Sequence, residues 1–215
     1  GSKVMKKILL ALIVILISSL SAQVRNISER QYFNQFDWEV ASSVAIGLSQ
    51  TTYESTPQNY YGGGSGDEQF YSEISISIGF FILEGLSIEP ELEYNFFQDD
   101  ASFSMIANIS YTLHIPKKSI YPFFKVGYGK SGFTGYYYGY YPENSEGLFE
   151  SLDANVINAS AGLKIIQSSS FAMILELNYK YITFNQTVST DYIEPYEVDT
   201  KTSSLSIKIG GSFLL

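Results

Sequence analysis

The chain has 215 residues, enough for one domain, with 22 acidic side chains against 13 basic ones and no cysteine. That excludes a disulfide framework and a thiolate metal site. A net charge of -9 argues against nucleic acid as a partner, because phosphate binding needs Lys and Arg. Eighteen tyrosines and 15 phenylalanines beside a single tryptophan suit strands and membrane-interface belts.

At the N-terminus, Met5-Lys6-Lys7 forms a positive head and Ile8 to Ile17 an unbroken apolar run. Ser18-Ser19-Leu20-Ser21-Ala22 then supplies small residues before Gln23. That order predicts a secretory signal peptide cleaved after Ala22. The other reading, a transmembrane helix, needs ~20 apolar residues, and the run falls short. Residues 1–22 are therefore set apart as a short extension plus signal peptide. Loss of Lys3, Lys6 and Lys7 with them takes the net charge from -9 to -12. Residues 23–36 are polar and without alternation, and are predicted as a periplasmic lead-in. The barrel is assigned to 37–215.

Beyond Asp37 the side chains alternate with period two, the mark of strands. The first run sets Trp38, Val40, Val44, Ile46 and Leu48 against Glu39, Ala41, Ser43, Ala45 and Gly47. The second sets Phe70, Ile74, Ile76, Ile78 and Phe80 against Glu73, Ser75, Ser77 and Gly79. Glu84-Gly85 joins it to a third as a two-residue hairpin signal. In the third, Leu86, Ile88, Leu92, Tyr94 and Phe96 oppose Ser87, Glu89, Glu91, Glu93 and Asn95. The fourth sets Phe103, Met105, Ile109 and Tyr111 against Ser104, Asn108, Ser110 and His114. The fifth sets Ile120, Phe124, Val126 and Tyr128 against Lys125, Gly127 and Gly129. In the sixth, Ile157, Ala159, Ala161 and Leu163 oppose Asn158, Ser160, Gly162 and Lys164. In the seventh, Phe171, Met173, Leu175, Leu177 and Tyr179 oppose Glu176, Asn178 and Lys180. The last sets Leu205, Ile207, Ile209, Phe213 and Leu215 against Ser206, Lys208, Gly210 and Ser212.

Eight runs let an antiparallel meander close on itself. Short connections (Glu84-Gly85, Pro116 to Ser119, Gln167 to Ser170) alternate with long ones (Thr51 to Glu68, Gly132 to Ser151, Asn185 to Thr200). Only Gln98 to Asp100 breaks that rule. This is the plan of outer-membrane barrels, with long loops outside the cell and termini in the periplasm. Charges lie on one face of nearly every run, and the opposite face is apolar and rich in large aromatics. Eight strands enclose a lumen just wide enough for side chains, so small residues and paired charges belong inside and the bulky ones face lipid. The predicted fold is all-β: an eight-stranded antiparallel up-and-down transmembrane barrel. A soluble lipocalin-like ligand carrier would have its faces the other way round.

Measured from the short-turn end, Glu91, Glu93, Lys125, Glu176 and Lys208 fall at similar heights. They are predicted to meet in one cross-lumen network that closes the barrel, so that it is not a pore. The alternative is that lumen water solvates each charge separately.

With its strands placed, the region Asp37 to Leu215 resembles the small eight-stranded outer-membrane barrels of the OmpX and OmpA-transmembrane type. The resemblance rests on strand number, turn-and-loop alternation and inward Glu and Lys. Such barrels typically end in an aromatic, whereas here Leu215 is last and Phe213 stands two places earlier. The resemblance implies surface interaction, adhesion or envelope integrity, and brings no catalytic residues. It implies lipopolysaccharide and the barrel-assembly machinery as partners.

The best catalytic rival resembles PagL or PagP, lipid-modifying enzymes of the outer membrane. Nucleophilic catalysis with Ser needs a His within hydrogen-bond reach. The single histidine, His114, is placed at the short-turn end, away from the outer leaflet. No catalytic residue, metal ligand or cofactor site is assigned. Gly62-Gly63-Gly64-Ser65-Gly66 lacks the Lys and helix of a nucleotide loop and reads as a flexible loop tip. Asp99-Asp100 reads as turn chemistry. The long-loop end is acidic (Glu54, Glu68, Glu143, Glu146, Asp191, Glu197 and Asp199 among others), which suits either divalent bridging to lipopolysaccharide or a solvated surface. Tyr136, Tyr137, Tyr138, Tyr140 and Tyr141 form the most unusual local sequence. They suit recognition of a surface protein or glycan, or packing of an extended fifth strand against neighbouring loops.

Overall fold

The computed structural model describes residues 33–56, 64–66, 68–97, 101–115, 119–133, 154–190 and 193–215. Eight long antiparallel strands follow one another in chain order: β1 (Trp38–Thr56), β2 (Gln69–Leu83), β3 (Leu86–Phe96), β4 (Ala101–Thr112), β5 (Ile120–Phe133), β6 (Ala154–Ile166), β7 (Phe171–Thr190) and β8 (Ile193–Leu214). Each pairs with its sequence neighbour, and β1 pairs with β8 from Glu39↔Leu214 to Thr56↔Glu197. Closure leaves no unpaired edge around the ring, as backbone surrounded by lipid requires. It is the predicted eight-stranded up-and-down barrel.

The register defines the barrel's tilt. A row starting at Ala41 runs through Ser77, Glu91, Ile106, Gly129, Val156, Ile182 and Thr202. It returns to β1 at Thr51, ten residues beyond its start. With ordinary strand rise and spacing, that stagger over eight strands sets a tilt of about 40°.

Large apolar side chains point outward. Ile46, Ile76, Ile109, Val126, Leu177 and Ile207 are all exposed, whereas Glu93, Asn108 and Lys208 on the inner face are fully buried. Outward apolar residues on β1 extend from Trp38 to Leu48. At a tilt of about 40° that stretch covers roughly 25 Å of height, the width of a lipid-facing band. Aromatic pairs mark its rims. Trp38 lies 4.8 Å from Phe80 and Phe171 5.2 Å from Phe213 at the short-turn end, and Tyr94 lies 4.7 Å from Phe96 at the other. Such girdles sit at membrane–water interfaces.

The Glu84-Gly85 turn is as expected. Gly85 has φ 75°, and its backbone N–H and C=O bond Phe33 and Thr112. Four other features differ from the sequence reading. The stretch Asn185 to Thr200, read as a long loop, is mostly strand: β7 and β8 stay paired through Asn185↔Asp199 and Thr187↔Glu197 to Thr190↔Ile193. β1 accompanies them to Thr56, also within an expected loop, so one side of the barrel rises as a three-stranded sheet. Gly64 and Ser65, expected in a flexible tip, pair with Tyr53 and Thr52. Finally, Phe33 in the expected lead-in is 2 % exposed and lies inside the short-turn mouth.

Candidate functional site

The lumen is where the chain concentrates its buried polar chemistry. In register, Lys208 on β8 faces Ala45 on β1, and Ala45 faces Glu73 on β2. Ala45 offers only a methyl group, so the Lys208 side chain passes over it and its ammonium lies 2.6 Å from Glu73. The same ammonium lies 3.0 Å from Glu91 and 2.8 Å from Glu93. Lys125 lies 3.1 Å from Glu91 and 3.2 Å from Glu176. Glu91, Glu93, Lys125, Glu176 and Lys208 therefore belong to one connected set.

Two further members were named on the charged face but left out of the predicted network. Lys180 pairs with Glu73 and stands 2.7 Å from Glu93. Lys180 and Glu73 are 107 residues apart in sequence, and the ten-residue stagger brings them level. Both are 2 % exposed or less.

A second missed component is an amide chain. The Asn178 side-chain N–H donates to the Asn158 side-chain carbonyl (2.6 Å), and Asn158 donates to that of Asn108 (3.0 Å). Asn108 donates to Glu91 (2.9 Å) and Asn178 to Glu176 (3.5 Å), so the amides join two carboxylates of the ion network. Asn108 and Asn158 flank Gly127 in register. A Cβ at Gly127 would run into the Asn108 side chain. All three amides donate to a buried acceptor, and leaving such groups unpaired is costly, which links this chain to the position of every strand that carries it. Inward asparagines on three strands were the available signal.

Nearer the short turns lies a smaller layer. Lys164 pairs with Glu39 and stands 4.0 Å from Glu89, which also accepts a 2.7 Å bond from the Ser87 hydroxyl. The Lys164 ammonium also faces the rings of Phe33, Phe81 and Phe123, at 5.1, 5.7 and 5.4 Å from their centroids. Between the layers is a cavity of about 20 Å³, room for a water or so, lined by Ala41, Ser77, Glu89, Lys125 and Lys164 among others. Inward aromatics thus occupy this end of the lumen, where the sequence reading had small residues.

Oxygens of Glu73, Glu91 and Glu93 lie within 4.8 Å of one another, close enough to share a cation. The cation among them is the Lys208 ammonium, in contact with all three. His114 is exposed at the short-turn end, its ring 5.8 Å from Tyr121. At the opposite end, outside the apolar band, Lys201 hydrogen-bonds Glu54 (3.0 Å), and that bond raises the ammonium above its ordinary pKa. Tyr136, Tyr137, Tyr138, Tyr140 and Tyr141 lie outside the described residues, as do Asp99 and Asp100.

No family model matches the chain, and no curated protein does. Among solved structures it is similar to the outer membrane protein OprG from Pseudomonas aeruginosa. The match covers 86 % of this chain and 98 % of that one, with a TM-score of 0.56 and 9 % identity. The fold is that of a small outer-membrane β-barrel. Looser likenesses, which carry no argument, include Neisserial surface protein A and the outer membrane enzyme PagL. The former has a TM-score of 0.41 and 14 % identity over 79 % of this chain and 97 % of that one. The latter has a TM-score of 0.39 and 14 % identity over 75 % and 97 %. In this outer-membrane fold the buried charges and exposed aliphatics are opposite to those of a soluble ligand carrier, and that alternative falls.

Proposed function

We propose that the protein is a non-enzymatic surface component of the bacterial outer membrane, with a closed lumen and its activity at the long-strand end. On this reading the short turns and both termini face the periplasm and the β7–β8 hairpin stands outside the cell. The observation that carries it is the interlocked set of Glu73, Glu91, Glu93, Glu176, Lys125, Lys180 and Lys208 across the middle of the lumen. A solute would have to break buried ion pairs to pass, at about 3–5 kcal/mol for each one broken.

What remains available for interaction is the rim. β1, β7 and β8 have 19, 20 and 22 residues against 11 in β3, and about 9–11 suffice to cross a bilayer. The surplus builds a platform above the membrane. Its partners are lipopolysaccharide around it and a surface protein or glycan, with the run Tyr136 to Tyr141 as a contact; the barrel-assembly machinery inserts the chain. The role that follows is adhesion or envelope integrity. Refolded, homogeneous protein in a planar bilayer tests the closed lumen: silence is expected, and sizeable ohmic steps would overturn it.

A further inference from the structure

We infer that the segment ahead of β1 acts as a plug in cis, with Phe33 closing the short-turn mouth and the Lys164 ammonium as its seat. The barrel then has two closures in series: the ion network at mid-depth and an aromatic seal below it.

The geometry is specific to Phe33. Its ring is buried and packs against Phe81 (centroids 5.5 Å apart) and edge-on against Tyr121 (5.4 Å), in a cluster completed by Ile166, Ala172 and Leu214. That cluster draws on β2, β5, β6, β7 and β8, so the seal to which Phe33 belongs takes side chains from most of the circumference. Two forces hold it there. Apolar area is removed from water, and the ring meets an ammonium that is already out of water, the setting in which cation–π attraction is strongest.

The backbone is shaped for this insertion. Phe33 has φ 61° and Phe36 φ 73°, a left-handed conformation that bulky residues rarely adopt. Such residues persist where the surroundings impose them. Here the surroundings are visible. The Phe33 carbonyl accepts the Gly85 N–H (2.9 Å), Phe36 N–H donates to the Phe81 carbonyl (2.7 Å), and the Asp37 carboxylate accepts the Asn34 N–H (3.0 Å). By contrast, Phe36 points away and is 67 % exposed. Two phenylalanines three positions apart are thus treated in opposite ways, one as seal and one as outer-rim aromatic. Above the seal lies the small cavity lined by Ser77, Lys125 and Lys164. Phe33 does not line that cavity itself but covers Lys164, which does, so withdrawal of Phe33 would thin the barrier between the cavity and the short-turn side while the network above still blocked passage.

The chain has no cysteine, so single cysteines report cleanly. Full-length protein carrying Ser77→Cys would be exposed in detergent to a small cationic methanethiosulfonate. Slow reaction is expected with Phe33 present. Adding Phe33→Ala should speed it roughly tenfold, and Phe33→Leu should restore most of the protection, because local opening sets access. Heat-dependent gel mobility verifies that each variant is folded. If Phe33→Ala does not fold, Phe33→Cys alone is compared with Phe36→Cys, and slower labelling at 33 by roughly tenfold is expected. Equal rates with and without the Phe33 ring, fast labelling of the Ser77→Cys thiol in its presence, or equal rates at 33 and 36 would each overturn the plug.

Discussion

Replacing Lys208 by Met is the sharpest test of the lumen, because it keeps most of the length of the side chain and deletes the charge. Lys208 is fully buried and contacts Glu73, Glu91 and Glu93 within 3.0 Å. None of the three is stranded afterwards: Glu73 and Glu93 keep Lys180, and Glu91 keeps Lys125. The layer nevertheless passes from three ammoniums among four carboxylates to two. Removing one partner of a buried pair costs about 3–5 kcal/mol, and the surviving lysines place Lys208→Met near the lower end, at about 3 kcal/mol.

Urea unfolding in micelles reads this directly, since Trp38 is the sole tryptophan and sits on the lipid face against Phe80. With a slope of about 1–3 kcal/mol per molar urea, the midpoint should fall by about 1–3 M. Adding Glu93→Gln removes part of the excess charge and should recover about 1 kcal/mol, a coupling expected only of residues in contact. A wild-type midpoint for Lys208→Met would mean that the ammonium is dispensable. Strictly additive losses in the double variant would mean that Lys208 and Glu93 do not interact.

Three more outcomes can be measured. Asn158→Leu leaves the Asn108 carbonyl and an Asn178 N–H without their partner, and should cost about 1–3 kcal/mol despite a gain in apolar area. Ile109→Arg puts a charge in the lipid-facing band and should cost about 2–4 kcal/mol in bilayers. Spin labels at Ile76 and Ile109 should likewise report lipid and one at Ser77 should not; the reverse result would turn the barrel inside out.

Much of the fold could be read from the alternation, because one face of every strand meets hydrocarbon and the other a crowded lumen, and those two environments select opposite side chains. That period puts Glu91, Glu93, Lys125, Glu176 and Lys208 on one face, and the narrow lumen of eight strands turns that face inward. Their contacts with Glu73 and Lys180 do not follow from either, since these depend on the stagger between strands, which no single strand encodes. The upper β7–β8 hairpin was hidden for a different reason. Glu194, Pro195 and Asp199 are of types depleted in strands, and it is the pairing of β7 with β8, and of β8 with β1, that keeps the segment extended. Phe33 was obscured because Tyr32, Phe33 and Phe36 stand in a polar stretch without alternation, so no period picks out which of them turns inward. Tyr121 and Phe123, inward on β5, were passed over because aromatics had been assigned to lipid.

The small inward residues then take on a more exact role than filling a narrow lumen. Ala45 lies directly between Lys208 and Glu73 in the ladder, and Gly127 directly between Asn108 and Asn158. In each row the two polar partners sit on strands that are not neighbours, and they meet because the intervening side chain is a methyl group or a hydrogen. A larger residue at either position would leave both partners intact on their own strands while cutting the bond between them. The network is therefore specified as much by where the sequence omits bulk as by where it places charge. A barrel with the same glutamates and lysines but an inward leucine at 45 would hold Lys208 away from Glu73, with that carboxylate left to Lys180 alone.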